Sequence, residues 1–163
     1  MSARLTNSAG LLVYRVTDRG VEVLLGHMGG PFWARKDAGA WSIPKGEYPA
    51  EEDPFHAACR EFAEELGLPA PAGSAVDLGE VRQSGGKTVH AWAVEGQVDP
   101  ASVKPGTFTL EWPPRSGRKQ EFPEVDRVAW FTPEEARTKL VRAQTALVDR
   151  LVALLGTGGS VDG

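Results

Sequence analysis

The residues best suited to chemistry lie in the segment CREFAEELG, residues 59–67. Glu64 and Glu65 follow Glu61 by three and four positions, so on an α-helix all three carboxylates project to one side. Like charges at this spacing destabilise a helix by about a few tenths of a kcal/mol per pair, and Arg60 with Glu64 offsets about one such pair. Carboxylate oxygens are hard ligands that suit Mg²⁺ or Mn²⁺, so the pattern favours a metal-dependent site over a solvated acidic surface.

The flanking residues predict the helix that must carry these glutamates. Asp53 is a favoured N-cap residue, Pro54 suits the first helical position, and Gly67 suits the left-handed residue after a helix. Spacings of three and four residues define one apolar face, formed by Phe55, Ala58, Cys59, Phe62 and Leu66. Cys59, the one cysteine of the chain, is therefore expected to be a packed thiol.

The helix belongs to a longer pattern that begins at Gly46. Five residues separate Gly46 from Glu52, and seven more separate Glu52 from the run REFAEELGL, residues 60–68. This pattern resembles the box of the Nudix family, G-x5-E-x7-R-E-U-x-E-E-x-G-U with U apolar, at every fixed position. The resemblance spans about residues 8–155. It implies a MutT-like Nudix fold, an α+β protein built as an α/β/α sandwich with a mixed β-sheet between helices.

The same resemblance implies a hydrolase that uses Mg²⁺ or Mn²⁺ to cleave a nucleoside diphosphate linked to another group. Arg60 is expected to hold Glu52 by a charge-assisted hydrogen bond. Glu61 is expected to be either a metal ligand or the base that activates water. The metal ligands that the family pattern implies are the backbone carbonyl of Gly46 and the side chains of Glu61, Glu64 and Glu65. Such metals neutralise and orient a pyrophosphate and lower the pKa of bound water.

Two further segments resemble the dinucleoside tetraphosphate hydrolases of the Nudix family. GKTVHAW, residues 86–92, is similar to their KTV strand that ends in aromatic residues. FPEVDRVAWF, residues 122–131, is similar to a segment in which a Glu stands six positions before a Trp. Glu124 is that residue here and is expected to be a further metal ligand or the base, so the base stays open between Glu61, Glu64 and Glu124. Ala91 departs from the pattern, because those hydrolases have two consecutive aromatic residues there.

Four residues are expected to contact the substrate. Lys45, at the PKG entry to the box, is expected near the phosphates, and Lys87 and Trp92 are expected contacts from the KTV segment. Trp92 also fits a core position, because it lies in a predicted strand. Trp33 lies in a predicted loop and is the best exposed platform for base stacking.

These features favour a dinucleoside polyphosphate such as diadenosine tetraphosphate as the substrate, split asymmetrically to ATP and AMP. A nucleoside triphosphate or an ADP-sugar is the alternative within the family. A Nudix module that senses a nucleotide without cleaving it is the alternative from another class. A sensor has no need to keep all three box glutamates together, so the intact box favours an enzyme.

The composition indicates one globular domain. The chain has 163 residues, of which 41% are hydrophobic and 25% charged, so residues 1–155 are expected to form one domain and residues 156–163 a disordered tail. The net charge of −4 disfavours binding to a nucleic-acid polymer. No apolar run suits a signal peptide or membrane span, so a cytoplasmic protein is expected. Many Nudix proteins are dimers, which leaves a homodimer open.

The remaining elements are mostly strands. Residues 8–16 and 21–27 predict a hairpin, and residues 40–46 predict a short strand that is stopped by Pro44. Further strands are predicted at 75–83, 87–96, 107–112, 119–122 and 126–131. The hairpin of residues 107–122 carries basic residues that either form an ordinary surface turn or contact phosphates. Helices are predicted at residues 132–140, with Thr132 as N-cap, and at residues 144–155. The three histidines show no metal-ligand spacing and have no expected role.

Overall fold

The computed structural model describes residues 7–159. Its strands are β1 (Asn7–Thr17), β2 (Gly20–Met28), β3 (Trp41–Ser42), β4 (Lys45–Glu47), β5 (Ala75–Arg82), β6 (Thr88–Glu95), β7 (Thr107–Glu111), β8 (Lys119–Pro123) and β9 (Val125–Phe131). Its α-helices are α1 (Pro54–Leu66), α2 (Pro133–Lys139) and α3 (Thr145–Gly159). None of the helices in this part of the chain is long and apolar enough to span a membrane.

The main sheet is mixed, as the sequence predicted. Its strand order is β3-β2-β1-β6-β5, with β4 also paired to β1 and β9 to β2. β1 and β6 are parallel, and the other pairs are antiparallel. β7 and β8 form a separate two-stranded sheet, which confirms the predicted hairpin.

β1 and β2 separate near the centre of the sheet, and the segment that leads into the box lies between them. β1 and β2 pair beside their turn, from Tyr14 and Val23 to Thr17 and Gly20. Farther from the turn, β4 pairs with β1 and β3 with β2. The short strand predicted within residues 40–46, stopped by Pro44, is therefore observed as β3, and β4 was not predicted as a strand of its own. The chain crosses from one partner strand to the other at residues 43–44, where proline has no N–H to give to a ladder.

Two hydrophobic cores lie on the two faces of the sheet. One core contains Leu12 of β1 with residues of α2 and α3, such as Ala136 and Leu151. The other contains Leu11 of β1 with residues of α1, such as Phe62. Neighbouring side chains of a strand point to opposite faces, so the helices cover both sides of the sheet. The architecture is the α/β/α sandwich that the sequence predicted.

The helix ends explain where α1 begins and stops. Asp53 caps α1 by accepting a hydrogen bond of 2.9 Å from the backbone N–H of His56, and Gly67 ends it with φ 69°. Both predicted caps are confirmed. α3 continues to Gly159, so its predicted end at residue 155 was too early. The part of the predicted tail at residues 160–163 lies outside the described residues.

Candidate functional site

A cavity of about 470 Å³ lies where α1, β4 and the connection between β8 and β9 meet. We call it the carboxylate cavity. α1 contributes Glu61, Glu64 and Glu65, which confirms that one side of the helix presents all three carboxylates. Glu124 joins them from the β8–β9 connection, 59 positions after Glu65 in the chain. The remaining lining residues are Ser8, Lys45, Gly46, Glu47, Lys87, Gly106 and Thr107.

Arg60 holds several carboxylates in place beside this cavity. Its Nε and Nη2 each donate a hydrogen bond of 2.9 Å to Glu52, so the pair expected from the family pattern is present and is bidentate. Its Nη1 donates to Glu61 at 2.7 Å and to Glu64 at 3.2 Å. The hydrogen bonds from Arg60, with a smaller contribution from His56, lower the pKa of Glu52 to about 2. Arg60 therefore fixes the directions of the carboxylates without lining the cavity itself.

Burial sets the proton affinity of the acidic groups. Desolvation raises the pKa of Glu65 to about 8; the charge of Lys45 opposes this rise, and the charge of Glu124 adds to it. Desolvation also raises the pKa of Glu61, with the neighbouring Glu64 adding to the rise against the hydrogen bond from Arg60. Desolvation lowers the pKa of Lys45. Carboxylates crowded in this way favour a bound cation, because a positive charge among them reverses the repulsion.

Gly46 stands against the carboxylate of Glu61. A Cβ atom at position 46 would overlap that carboxylate group, so the contact requires glycine. The backbone of β4 at Gly46 therefore packs against the Glu61 side chain near the middle of α1. The close approach of the Glu61 carboxylate to the backbone at position 46 thus explains why the box begins with glycine.

The donor set fits a hard divalent cation in kind. It consists of the oxygen atoms of Glu61, Glu64, Glu65 and Glu124 and the main chain of Gly46 around one cavity. Among residues 7–159, however, no three His, Cys, Asp or Glu side chains stand close enough to form a ligand shell. Arg60 draws Glu61 and Glu64 toward itself, so coordination requires side-chain rotations.

The two predicted substrate lysines both reach the carboxylate cavity. Lys45 precedes Gly46 in β4, and its backbone N–H donates a hydrogen bond to the carboxylate of Glu65. Lys87 lies just before β6, and its Nζ is 3.7 Å from an oxygen of Glu47. The exposed pair is weak, so the Lys87 ammonium is free to meet an anion.

A second cavity, of about 390 Å³, adjoins the first. We call it the middle cavity. It shares Lys45, Glu65 and Glu124 with the carboxylate cavity, and its far side includes Trp33 and Phe108. Trp33 therefore lines the cavity next to the one that contains the predicted metal ligands.

Trp92 does not reach either cavity. It is 9% exposed and belongs to the core under α1. Its ring stacks on His90 with centroids 4.0 Å apart and meets Phe55 edge-on at 5.5 Å. The prediction of a substrate contact fails here, because alternation along β6 turns this side chain toward α1. The core position, the alternative reading of a tryptophan in a strand, is the one observed.

The family model described as NUDIX domain matches residues 5–151. The chain belongs to the Nudix family. Its hydrolases cleave pyrophosphate bonds and generally use divalent metals. A comparison with functionally curated proteins found no match.

Solved structures share this Nudix fold at low sequence identity. A C. elegans Ap4A hydrolase, solved as a binary complex, is 22% identical, with a TM-score of 0.66 over 92% of this chain and 98% of that one. The Nudix domain of Shewanella oneidensis NrtR, complexed with ADP ribose, is 15% identical, with a TM-score of 0.63 over 95% and 90% of the two chains. A MutT protein from Methanosarcina mazei Go1 is 21% identical, with a TM-score of 0.59 over 95% and 98%.

Sequence patterns did not indicate the residues that hold the loop carrying Trp33 in this Nudix protein. His27 is fully buried, with Nδ1 2.9 Å from a carboxylate oxygen of Asp126 and Nε2 2.6 Å from the carbonyl oxygen of Lys36. Both partners are acceptors, so an imidazolium can donate to both and a neutral ring to one at a time. His27 thereby ties the loop that carries Trp33 to β2 and β9. No local spacing marks such a residue, because its partners come from elsewhere in the chain.

Proposed function

We propose that this Nudix hydrolase cleaves a dinucleoside polyphosphate, such as diadenosine tetraphosphate, to ATP and AMP with Mg²⁺ or Mn²⁺. The proposal rests on the carboxylate cavity, where five glutamates and two lysines meet beside a second cavity that includes Trp33. With a divalent cation bound among its carboxylates, the first cavity would suit an anionic bridge, and a nucleoside suits the aromatic residues in the second. The fold shared with the C. elegans Ap4A hydrolase supports this substrate class.

The residues of the carboxylate cavity have different roles in this proposal. Glu61, Glu64, Glu65 and the Gly46 carbonyl would hold the metal, which supplies charge neutralisation and a lower pKa for bound water. Glu124 acts as the base. Among residues 7–159, its side chain makes no hydrogen bond or ion pair, whereas Glu61 and Glu64 both accept hydrogen bonds from Arg60.

In the reaction, the oxygen of a water molecule attacks a phosphorus atom while Glu124 takes the proton. The bond from that phosphorus to the bridging oxygen breaks, and the nucleoside triphosphate leaves with the electron pair. Lys45 and Lys87 bind phosphate oxygens and oppose the charge that builds on them. Arg60 is a positioning residue, since it acts through the carboxylates that it holds.

An ADP-sugar is the second candidate substrate. The Nudix domain of NrtR, which shares the fold, is complexed with ADP ribose, and a sugar would also suit the mixed lining of the middle cavity. This candidate needs the same metal chemistry at the same glutamates, so it differs from the first in the group beyond the pyrophosphate.

The test is incubation of purified protein with diadenosine tetraphosphate and Mg²⁺, followed by ion-exchange chromatography. ATP and AMP in equal amounts, both lost on chelation with EDTA, are the expected products. Parallel reactions with ADP-ribose and with nucleoside triphosphates provide the comparison. Cleavage of these compounds with the tetraphosphate left intact would overturn the substrate while leaving pyrophosphate hydrolysis in place.

A further inference from the structure

A third cavity, of about 520 Å³, extends the path away from the carboxylates. We call it the outer cavity. It shares Met28 and Trp33 with the middle cavity, which in turn shares Lys45 and Glu65 with the carboxylate cavity. Cavities of this volume accommodate small organic ligands. The three cavities are therefore neighbours in a row, an arrangement that suits an extended ligand with a planar group at its outer end.

The amide of Gln144 has one possible orientation, because its partners determine it. Gln144 is fully buried, and its Oε1 accepts a hydrogen bond of 2.9 Å from the backbone N–H of Ile43. Its Nε2 must then lie on the other side, where it donates to Ser42 Oγ at 3.0 Å and to Gln83 Oε1 at 2.8 Å. The polar atoms of this buried side chain are thereby all satisfied.

The orientation of the Gln144 amide in turn determines that of Gln83, which lines the outer cavity. Since the oxygen of Gln83 receives the N–H of Gln144, the amide NH₂ group of Gln83 points to the other side. In the described part of the chain, that NH₂ group has no hydrogen-bond partner. The hydrogen bond from Gln144 therefore fixes the direction of the Gln83 NH₂ group, and Trp33 lines the same cavity.

The other walls of the outer cavity suit a flat ring. Trp33 and Met28 line the side toward the middle cavity, and Val141 and Arg142 come from the segment before α3. The guanidinium of Arg142 is planar and weakly hydrated, and such groups stack on aromatic rings. Apolar side chains with one directed donor bind a ring that carries an acceptor atom in its plane.

We infer that the outer cavity is a nucleobase subsite in which the Gln83 NH₂ group donates to an acceptor in the plane of the base. The inference rests on the proposed function, because it assigns one end of a nucleotide substrate to this cavity. It makes Gln83 a specificity-determining residue and Gln144 the residue that orients it. Bases with an acceptor at the contacted edge are bound, and bases with a donor at that edge are rejected.

The subsite can be tested without catalysis by titrating ¹⁵N-labelled protein with adenosine in the presence of EDTA. Adenosine is uncharged, so the carboxylates do not repel it, and no bond is cleaved. We expect saturable shifts of the Trp33 indole and the Gln83 side-chain amide. Absence of shifts at these two groups at millimolar adenosine would overturn the inference, as would shifts confined to the carboxylate cavity.

A substitution then tests the donor itself. Gln83→Glu keeps an oxygen that can accept from Gln144 and removes the NH₂ group. We expect adenosine affinity to fall about threefold to tenfold, the effect of one hydrogen bond. Gln97→Glu is the matched control, because Gln97 lines none of the three cavities. The affinity of this variant for adenosine should equal that of the wild type. Equal affinity in Gln83→Glu and wild type would remove the donor role.

The chromatographic assay separates this inference from the proposed function. Hydrolysis of diadenosine tetraphosphate without adenosine shifts at Trp33 and Gln83 would uphold the reaction and overturn the subsite. Adenosine shifts at these residues without hydrolysis would uphold the subsite and overturn the proposed reaction.

Discussion

The carboxylate cavity and the Trp33 side of the site are built in different ways. The carboxylate cavity takes most of its acidic groups from one helix, held by Arg60 through partners at most eight positions away. The Trp33 side depends on His27 and Asp126, which are 99 positions apart, and on Gln144 and Ser42, which are 102 positions apart. The acidic groups are thus placed largely by a short segment, whereas the surroundings of Trp33 depend on contacts across the fold.

The largest expected effect is at the carboxylate cavity. Glu65→Gln keeps the size of the side chain but removes the anion, and the contribution of a metal ion to such reactions is several kcal/mol. We expect kcat/KM to fall by more than about a hundredfold with the far-ultraviolet circular dichroism unchanged. Glu121→Gln, at an exposed position of β8, is the control and should retain full activity. Normal turnover in Glu65→Gln would remove the metal assignment.

Arg60→Lys tests whether local positioning matters as much as the ligands do. Lysine keeps the charge but lacks the planar fork that holds Glu52 while also binding Glu61. We expect about a tenfold to hundredfold loss of activity, the range found when groups that orient metal ligands are replaced. The fall should be in metal affinity, so a raised Mg²⁺ concentration should restore part of the rate. A loss that no Mg²⁺ concentration relieves would contradict this role.

His27→Leu tests the long-range contacts on the Trp33 side. It leaves the carbonyl of Lys36 and the carboxylate of Asp126 without their donor, which costs about 1–3 kcal/mol in the free energy of unfolding. Urea denaturation measures this cost. His56→Leu, at an exposed position, should change the free energy of unfolding by less than about 0.5 kcal/mol. KM should rise in His27→Leu more than kcat falls, because the affected loop carries Trp33 and not the carboxylates.

The smallest expected effect is the pH dependence contributed by Glu52. Its pKa is about 2 in the folded protein and 4.5 by reference, so the folded state binds fewer protons between these values. The stabilisation is present above pH 4.5 and is lost as the pH falls toward 2. Thermal unfolding of wild type and Glu52→Gln across this window should converge at the acid end. A constant difference in Tm from pH 7 to pH 2.5 would contradict the pKa assignment.

The two regions also differ in how well the sequence predicted them. The caps of α1 and the common side of Glu61, Glu64 and Glu65 were predicted from short spacings, and the pair of Arg60 with Glu52 was implied by the resemblance to the Nudix box. Helical geometry relates such residues directly, so local sequence is sufficient. The position of Trp92 was not predictable in this way, because alternation along a strand does not say which face a given helix will cover.

The cytoplasmic location and the homodimer stay predictions, since neither depends on contacts within one chain. The same holds for the metal ions and for the individual roles of Glu61, Glu64 and Glu124.

By itself, the sequence determined the acidic helix and the family, because both follow from spacings within a short segment, and the resemblance to that family implied the mixed sheet between helices. Only the tertiary structure decided that Trp33 lies one cavity away from the carboxylates, and that Gln83 lines a third cavity with its amide oxygen bonded to Gln144. These relations join residues distant along the chain. They become fixed when the sheet opens between β1 and β2, and when buried polar groups such as His27 and Gln144 find their partners.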